Sequence, residues 1–147
     1  MAKAFQVTMD CANPAALGSF WSEVLGYREA PPPAGFDTWQ EALLALRVPE
    51  EKLDAAYAIV DPDGVGPRMF FQRVPEGKVA KNRVHLDIRV AAAHGVAGGG
   101  RKALQPVLDA EADRLVAFGA SIMRTVDDDG EYFMVLKDPE GNEFCLT

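Results

Sequence analysis

The chain has 147 residues, 48% of them hydrophobic, which suits one domain with a packed core and excludes a disordered chain. A net charge of −7 opposes polyanions, and the densest basic stretch (Lys78, Lys81, Arg83) is flanked by Glu76 and Asp87, so no nucleic-acid partner is expected. The apolar runs are too short for a bilayer, the N-terminus lacks a signal-peptide core, and two cysteines make no disulfide framework, so the expected location is the cytoplasm, with no membrane partner.

In chain order, Phe5 to Cys11 alternates apolar and polar residues and predicts a strand. Asn13 and Pro14 then open a helix as N-cap and first helical residue, and Gly26 closes it. Leu17, Phe20, Trp21, Val24 and Leu25 form its apolar stripe. A short strand is expected from Tyr27 to Ala30, and Pro31-Pro32-Pro33 breaks the chain. Asp37 is placed to cap a short helix reaching about Leu46. Strands follow at Ala55 to Val60 and Arg68 to Val74, with the turn Asp61-Pro62-Asp63-Gly64 between them.

The second half repeats this order. Arg83 to Val90 is an alternating strand, Ala91 to Arg101 a glycine-rich loop, and Gln105 to Phe118 a helix capped by Gly119. Ser121 to Thr125, Tyr132 to Lys137 and Asn142 to Thr147 complete the strands, with the turn Asp138-Pro139-Glu140-Gly141 before the last. Two β-α-β-β-β modules result, spanning about 1–77 and 78–147 of one domain. The recurrence of the Asp-Pro-x-Gly turn before the final strand of each half supports the repeat.

Successive strand residues face opposite sides, so each strand sorts into two faces. Phe5, Val7 and Met9 oppose Gln6, Thr8 and Asp10; Val84, Leu86 and Ile88 oppose Arg83, His85, Asp87 and Arg89. Met69 and Phe71 oppose Arg68, Phe70 and Gln72, while Phe144 and Leu146 oppose Glu143, Cys145 and Thr147. The apolar faces are expected against the two helices. The polar faces either meet water, as one side of an antiparallel sheet commonly does, or line a cavity. The candidate cavity residues are Gln6, Thr8, Phe70, Gln72, His85, Asp87, Glu143 and Cys145.

The ending Asp138-Pro139-Glu140-Gly141-Asn142-Glu143-Phe144-Cys145 resembles that of modules of the vicinal oxygen chelate (glyoxalase/bleomycin-resistance/dioxygenase) superfamily. Phe71 to Glu76 followed by Lys81 to Asp87, Trp21 to Tyr27, and Leu115 to Ala120 are similar to a bacterial glyoxalase-like subgroup. This resemblance covers nearly the whole chain. It implies an α+β fold in which two modules curve into a partly closed mixed sheet around a small-molecule cavity, helices outside. It implies a homodimer too, for which the aromatic residues outside the two main helices, notably Phe36, Trp39 and Tyr57, are candidates, local packing being an equally fair account of them.

In metal-dependent members the first and last strands of each module supply one ligand each, and the matching positions here are Gln6, Gln72, His85 and Cys145. Two are neutral amides and a thiol stands where relatives place Glu, so no tightly bound cofactor is expected. A divalent zinc, nickel or iron, if bound, would use these four residues. His85 and Glu143 are the acid/base candidates. Cys145 reads first as a small buried hydrophobe, with a thiol activated by His85 as the lesser alternative. Two functions stay open: a lyase, isomerase or dioxygenase acting on a small metabolite, or a binding protein that sequesters a small molecule without chemistry. An interaction-only domain would need no such mixed polar face.

Overall fold

The computed structural model describes residues 1–128 and 131–147. The chain divides into two compact units, Met1–Gly77 and Lys78–Thr147. The first contains β1 (Val7–Cys11), α1 (Pro14–Leu25), β2 (Arg28–Glu29), α2 (Trp39–Ala45), a 3-10 turn at Glu50–Lys52, β3 (Ala56–Val60) and β4 (Met69–Arg73). The second contains β5 (Asp87–Ile88), α3 (Val90–Ala93), α4 (Arg101–Ala117), β6 (Ser121–Asp128), β7 (Glu131–Lys137) and β8 (Glu143–Leu146). Each unit is thus a β-α-β-β-β module, and the class is α+β.

Each unit folds its strands into a four-stranded mixed sheet, in the orders β1-β4-β3-β2 and β5-β8-β7-β6. The first strand of each module pairs in parallel with the last, and the remaining pairs are antiparallel. Among the described residues both sheets are open, and neither closes into a barrel of its own.

Local chemistry explains the elements. The Asn13 side chain accepts from the Ala16 amide, Pro14 starts α1, and Gly26 ends it at φ 69°, a left-handed position that favours glycine. Leu17, Phe20, Trp21 and Val24 of α1 are buried with Met69, Phe71 and Ile59 of the sheet. In the second unit Leu108, Ala112 and Leu115 of α4 are buried with Met134, Leu136, Phe144 and Leu146. Each fully buried large side chain contributes roughly 1.5–3 kcal/mol, so each unit has an interior that stabilises that unit. Among the described residues, no helix is long and apolar enough to cross a membrane.

Four expectations change in detail. The cap of α2 is Thr38, not Asp37: its hydroxyl accepts from the Glu41 amide while Glu41 accepts from the amides of Asp37 and Thr38. The opening strand of the second module shrinks from Arg83–Val90 to Asp87–Ile88, because β8 offers it a short ladder and the Asn82 amide goes to the Glu143 carboxylate instead. The loop from Ala91 begins with the single turn α3, and α4 starts at Arg101, four residues before Gln105. Strand β6 runs to Asp128 rather than Thr125. Trp39 donates its indole N–H to the Ala30 carbonyl at 2.6 Å, and Tyr57 packs beside Gly18, so local packing accounts for both of these aromatic residues.

Candidate functional site

The parallel register of β5 and β8 sets Asp87 directly opposite Cys145. His85 lies two residues before β5, and the donor atoms of His85, Asp87 and Cys145 lie within 4.8 Å of one another. His85 Nε2 is 3.3 Å from Asp87 Oδ1, an ion pair when the imidazole is protonated. His85 and Asp87 are exposed, whereas Cys145 is buried. Burial, and then the neighbouring Asp87 carboxylate, pushes the Cys145 thiol up from its usual pKa, so the thiol keeps its proton.

These residues stand in a groove of about 740 Å³ within the second unit. Arg89, Glu131 and Thr147 add polar groups, and Ala91, Ala97, Leu104 and Phe133 supply apolar wall. The volume falls in the range of small-molecule sites, and the mixture of an apolar wall with a few convergent polar groups is typical of them. Arg89 and Thr147 were legible in advance, since they share the face of His85 and Cys145; Leu104 and Ala97 come from the helix start and loop and carried no such signal.

Glu143, expected as an acid/base group, is instead a clasp. Its carboxylate accepts from the Asn82 amide at 3.1 Å and pairs with Lys78 at 3.0 Å, and its side chain is 11% exposed. The Asn82 amide first, and then Lys78, hold its pKa down to about 2. An anion so held makes a poor proton donor, and Glu143 is not among the groove's lining residues. Because the folded pKa is depressed from 4.5, the clasp stabilises the unit above about pH 4.5 and is lost as pH falls toward 2. Melting temperatures of the parent and a Glu143→Gln variant should therefore differ at pH 7, by an amount worth on the order of 2 kcal/mol, and converge near pH 2. A constant gap across that range would contradict this role.

The remaining candidates lie in the first unit. Gln6 accepts from the Arg68 guanidinium and donates to the Thr8 hydroxyl at 3.2 Å; Gln72 donates to Asp10 at 2.7 Å. The pairing register corrects one assignment. Thr8 pairs with Phe70 as Asp87 pairs with Cys145, so Gln6 matches His85 but the position matching Cys145 is Phe70, not Gln72. The longer turn of the first module, where Ile59 pairs with Met69 across Val65-Gly66-Pro67, displaces Gln72 by two residues. An apolar ring thus stands at one of the four positions where the resemblance implied a metal ligand.

The matching family model is that of a glyoxalase-like domain, and it spans residues 6–147. The chain belongs to this family. Solved structures agree at the level of the fold, and glyoxalase-like proteins of the vicinal oxygen chelate superfamily recur among them. A glyoxalase/bleomycin resistance protein/dioxygenase family enzyme from Burkholderia phytofirmans PsJN is 16% identical with a TM-score of 0.59, covering 99% of this chain and 97% of that one. The fosfomycin resistance protein FosX from Mesorhizobium loti is 11% identical with a TM-score of 0.61, covering 99% and 90%. A FosX variant from Listeria monocytogenes, complexed with Mn(II) and a dihydroxypropylphosphonic acid, is 9% identical with a TM-score of 0.58, covering 99% and 89%. No curated protein sequence matches this chain.

The donor set of this glyoxalase-like chain can be tested against such a metal. His85, Asp87 and Cys145 are a nitrogen, an oxygen and a sulfur donor within 4.8 Å, which suits a borderline dication such as zinc in type and spacing. The set suits Mn(II), which favours oxygen-rich octahedra, less well. Asp87 supplies the carboxylate that the four positions expected from sequence lacked. Bound there, a dication would act as a Lewis acid on a ligand oxygen; the thiol would first have to surrender its proton.

Proposed function

We propose that this glyoxalase-like protein binds a small polar or aromatic metabolite in the groove of its second unit, and that it carries no tightly bound metal as isolated. The observation supporting this is the convergence of His85, Asp87 and Cys145 on a groove of about 740 Å³. Sequestration without turnover is the favoured form, because Glu143 is engaged by Lys78 and Asn82 and the Cys145 thiol is held protonated. The second reading is catalysis by His85: Asp87 beside its Nε2 orients the ring, leaving Nδ1 for a ligand proton. The homodimer implied by the family resemblance belongs to the same proposal.

A thermal-shift panel of small carboxylates, phosphonates and phenols tests it. A true ligand at about 100 times its Kd should raise the melting temperature by roughly 5–10 °C, and His85→Ala should abolish the rise. No response from any class, or a response unchanged in His85→Ala, would reject the groove as the site. Recovery of the hit unaltered after prolonged incubation supports sequestration. Conversion that stops in His85→Ala supports the second reading.

A further inference from the structure

The first unit holds a groove of its own, about 440 Å³, which shares no lining residue with the His85 groove. Trp39, Tyr57 and Phe70 line it with Leu43 and Leu53. The indole N–H of Trp39 is already given to the Ala30 carbonyl, so that residue offers an apolar ring rather than a donor. Tyr57 is fixed from behind, since a Cβ added at Gly18 would lie 2.2 Å from its Cδ1. Arg68 stands over the Phe70 ring at 5.3 Å. Pairing sets Phe70 opposite Ala58 and Tyr57 opposite Phe71, so Phe70 shares a face with Arg68 while Tyr57 turns to α1; the rings of Trp39 and Phe70 in a cleft of this volume favour a flat ring as guest.

Charge decides what that ring carries. The lining includes Glu29, Lys52, Asp54 and Arg68. Asp54 is neutralised by a two-pronged contact from Arg73, at 2.9 and 2.7 Å. Arg68 donates to the neutral amide of Gln6, which leaves its charge uncompensated. Lys52 is exposed and has no ion-pair partner among the described residues. Glu29 pairs with Ile59 and bonds to the Tyr57 side chain on the other face, so neither lining acid offsets the charge of Arg68. An aromatic cage open to cations would be rimmed with acid instead.

We propose that this groove binds a small planar aromatic anion, with the ring against Trp39 and Phe70 and the acidic group near Lys52 and Arg68. This reading does not depend on the function of the His85 groove. Trp39 itself reports on it, because the other tryptophan, Trp21, is 1% exposed in the core. Titration with three quenching probes, 4-nitrobenzoate, 4-nitrobenzyl alcohol and 4-nitrobenzylamine, compares anion, neutral and cation on one ring. Saturable quenching is expected, tightest for the benzoate. Trp39→Phe should remove it, and Phe70→Ala should weaken all probes about tenfold. Phe70→Leu, which keeps apolar volume and so protects folding, should weaken them in the same order. Lys52→Gln should lower affinity for the benzoate by about threefold to fivefold and leave the alcohol unchanged. His85→Ala should change nothing. Quenching linear in probe, equal affinity for the amine and the benzoate, or loss of binding in His85→Ala would each overturn the proposal.

Discussion

Asp138→Ala is expected to destabilise the protein by about 2–4 kcal/mol, and the same change at Asp61 by much less. The two residues begin the same Asp-Pro-x-Gly turn in the two modules, so the contrast isolates burial. Asp138 is 3% exposed, and its Oδ1 accepts from the amides of Glu140 and Asn142 at 3.0 and 2.9 Å. The Asn142 side-chain amide donates to both of its oxygens, at 3.1 and 2.9 Å. Alanine would remove the acceptor that these part-buried donors share, and leaving them unsatisfied costs more than the net worth of the bonds themselves. Asp61 also accepts from backbone amides, those of Asp63, Val65 and Gly66 at 2.9, 3.1 and 2.7 Å. Its turn lies in a longer, wetter loop, where water can replace the carboxylate. Guanidinium denaturation of both variants at pH 7 gives the comparison. Equal midpoint shifts would show that the turn's hydrogen bonds, and not their burial, set the cost.

Those turns also show what the sequence made legible. Local signals worked: Asn13, Pro14 and Gly26 bound α1 as expected, and the parity of β1, β4 and β8 sorts buried from exposed side chains with few exceptions. What failed depended on pairing between distant segments. Parity placed His85, Asp87 and Cys145 on polar faces, but only the parallel register Asp87↔Cys145 turns them into one cluster. Gln72 was misplaced because counting along the chain cannot tell which strand absorbs the extra residues of Val65-Gly66-Pro67. Glu143 shares the face of Cys145, yet Asn82 and Lys78 capture it from 61 and 65 positions away, which no periodicity encodes. Gly18, inside α1, is where the Tyr57 ring comes too close for any Cβ.

Zinc uptake should be strongly pH-dependent, with the protein isolated near pH 7 holding well under one metal per chain. The cluster has three donors of suitable type, so the limit is protonic and not geometric. The Cys145 thiol is raised by burial and then by Asp87, the residue that would share the metal with it. Zinc binds thiolate, so each ion must expel one proton, and affinity below the thiol pKa should rise about tenfold per pH unit. Stability without metal has the opposite sign: a raised thiol pKa favours the folded state at low pH, and that contribution is lost as pH climbs through the folded value. Added zinc should therefore raise the melting temperature more at pH 9 than at pH 7. Metal analysis after purification without a nickel column, with zinc titrations from pH 6 to 9, provides the measurement. Cys145→Ser should flatten the pH dependence, since a hydroxyl does not ionise in that range. Near-stoichiometric nickel, iron or zinc at pH 7 that survives dialysis and disappears in His85→Ala would overturn the prediction, and would shift the function toward metal-dependent chemistry.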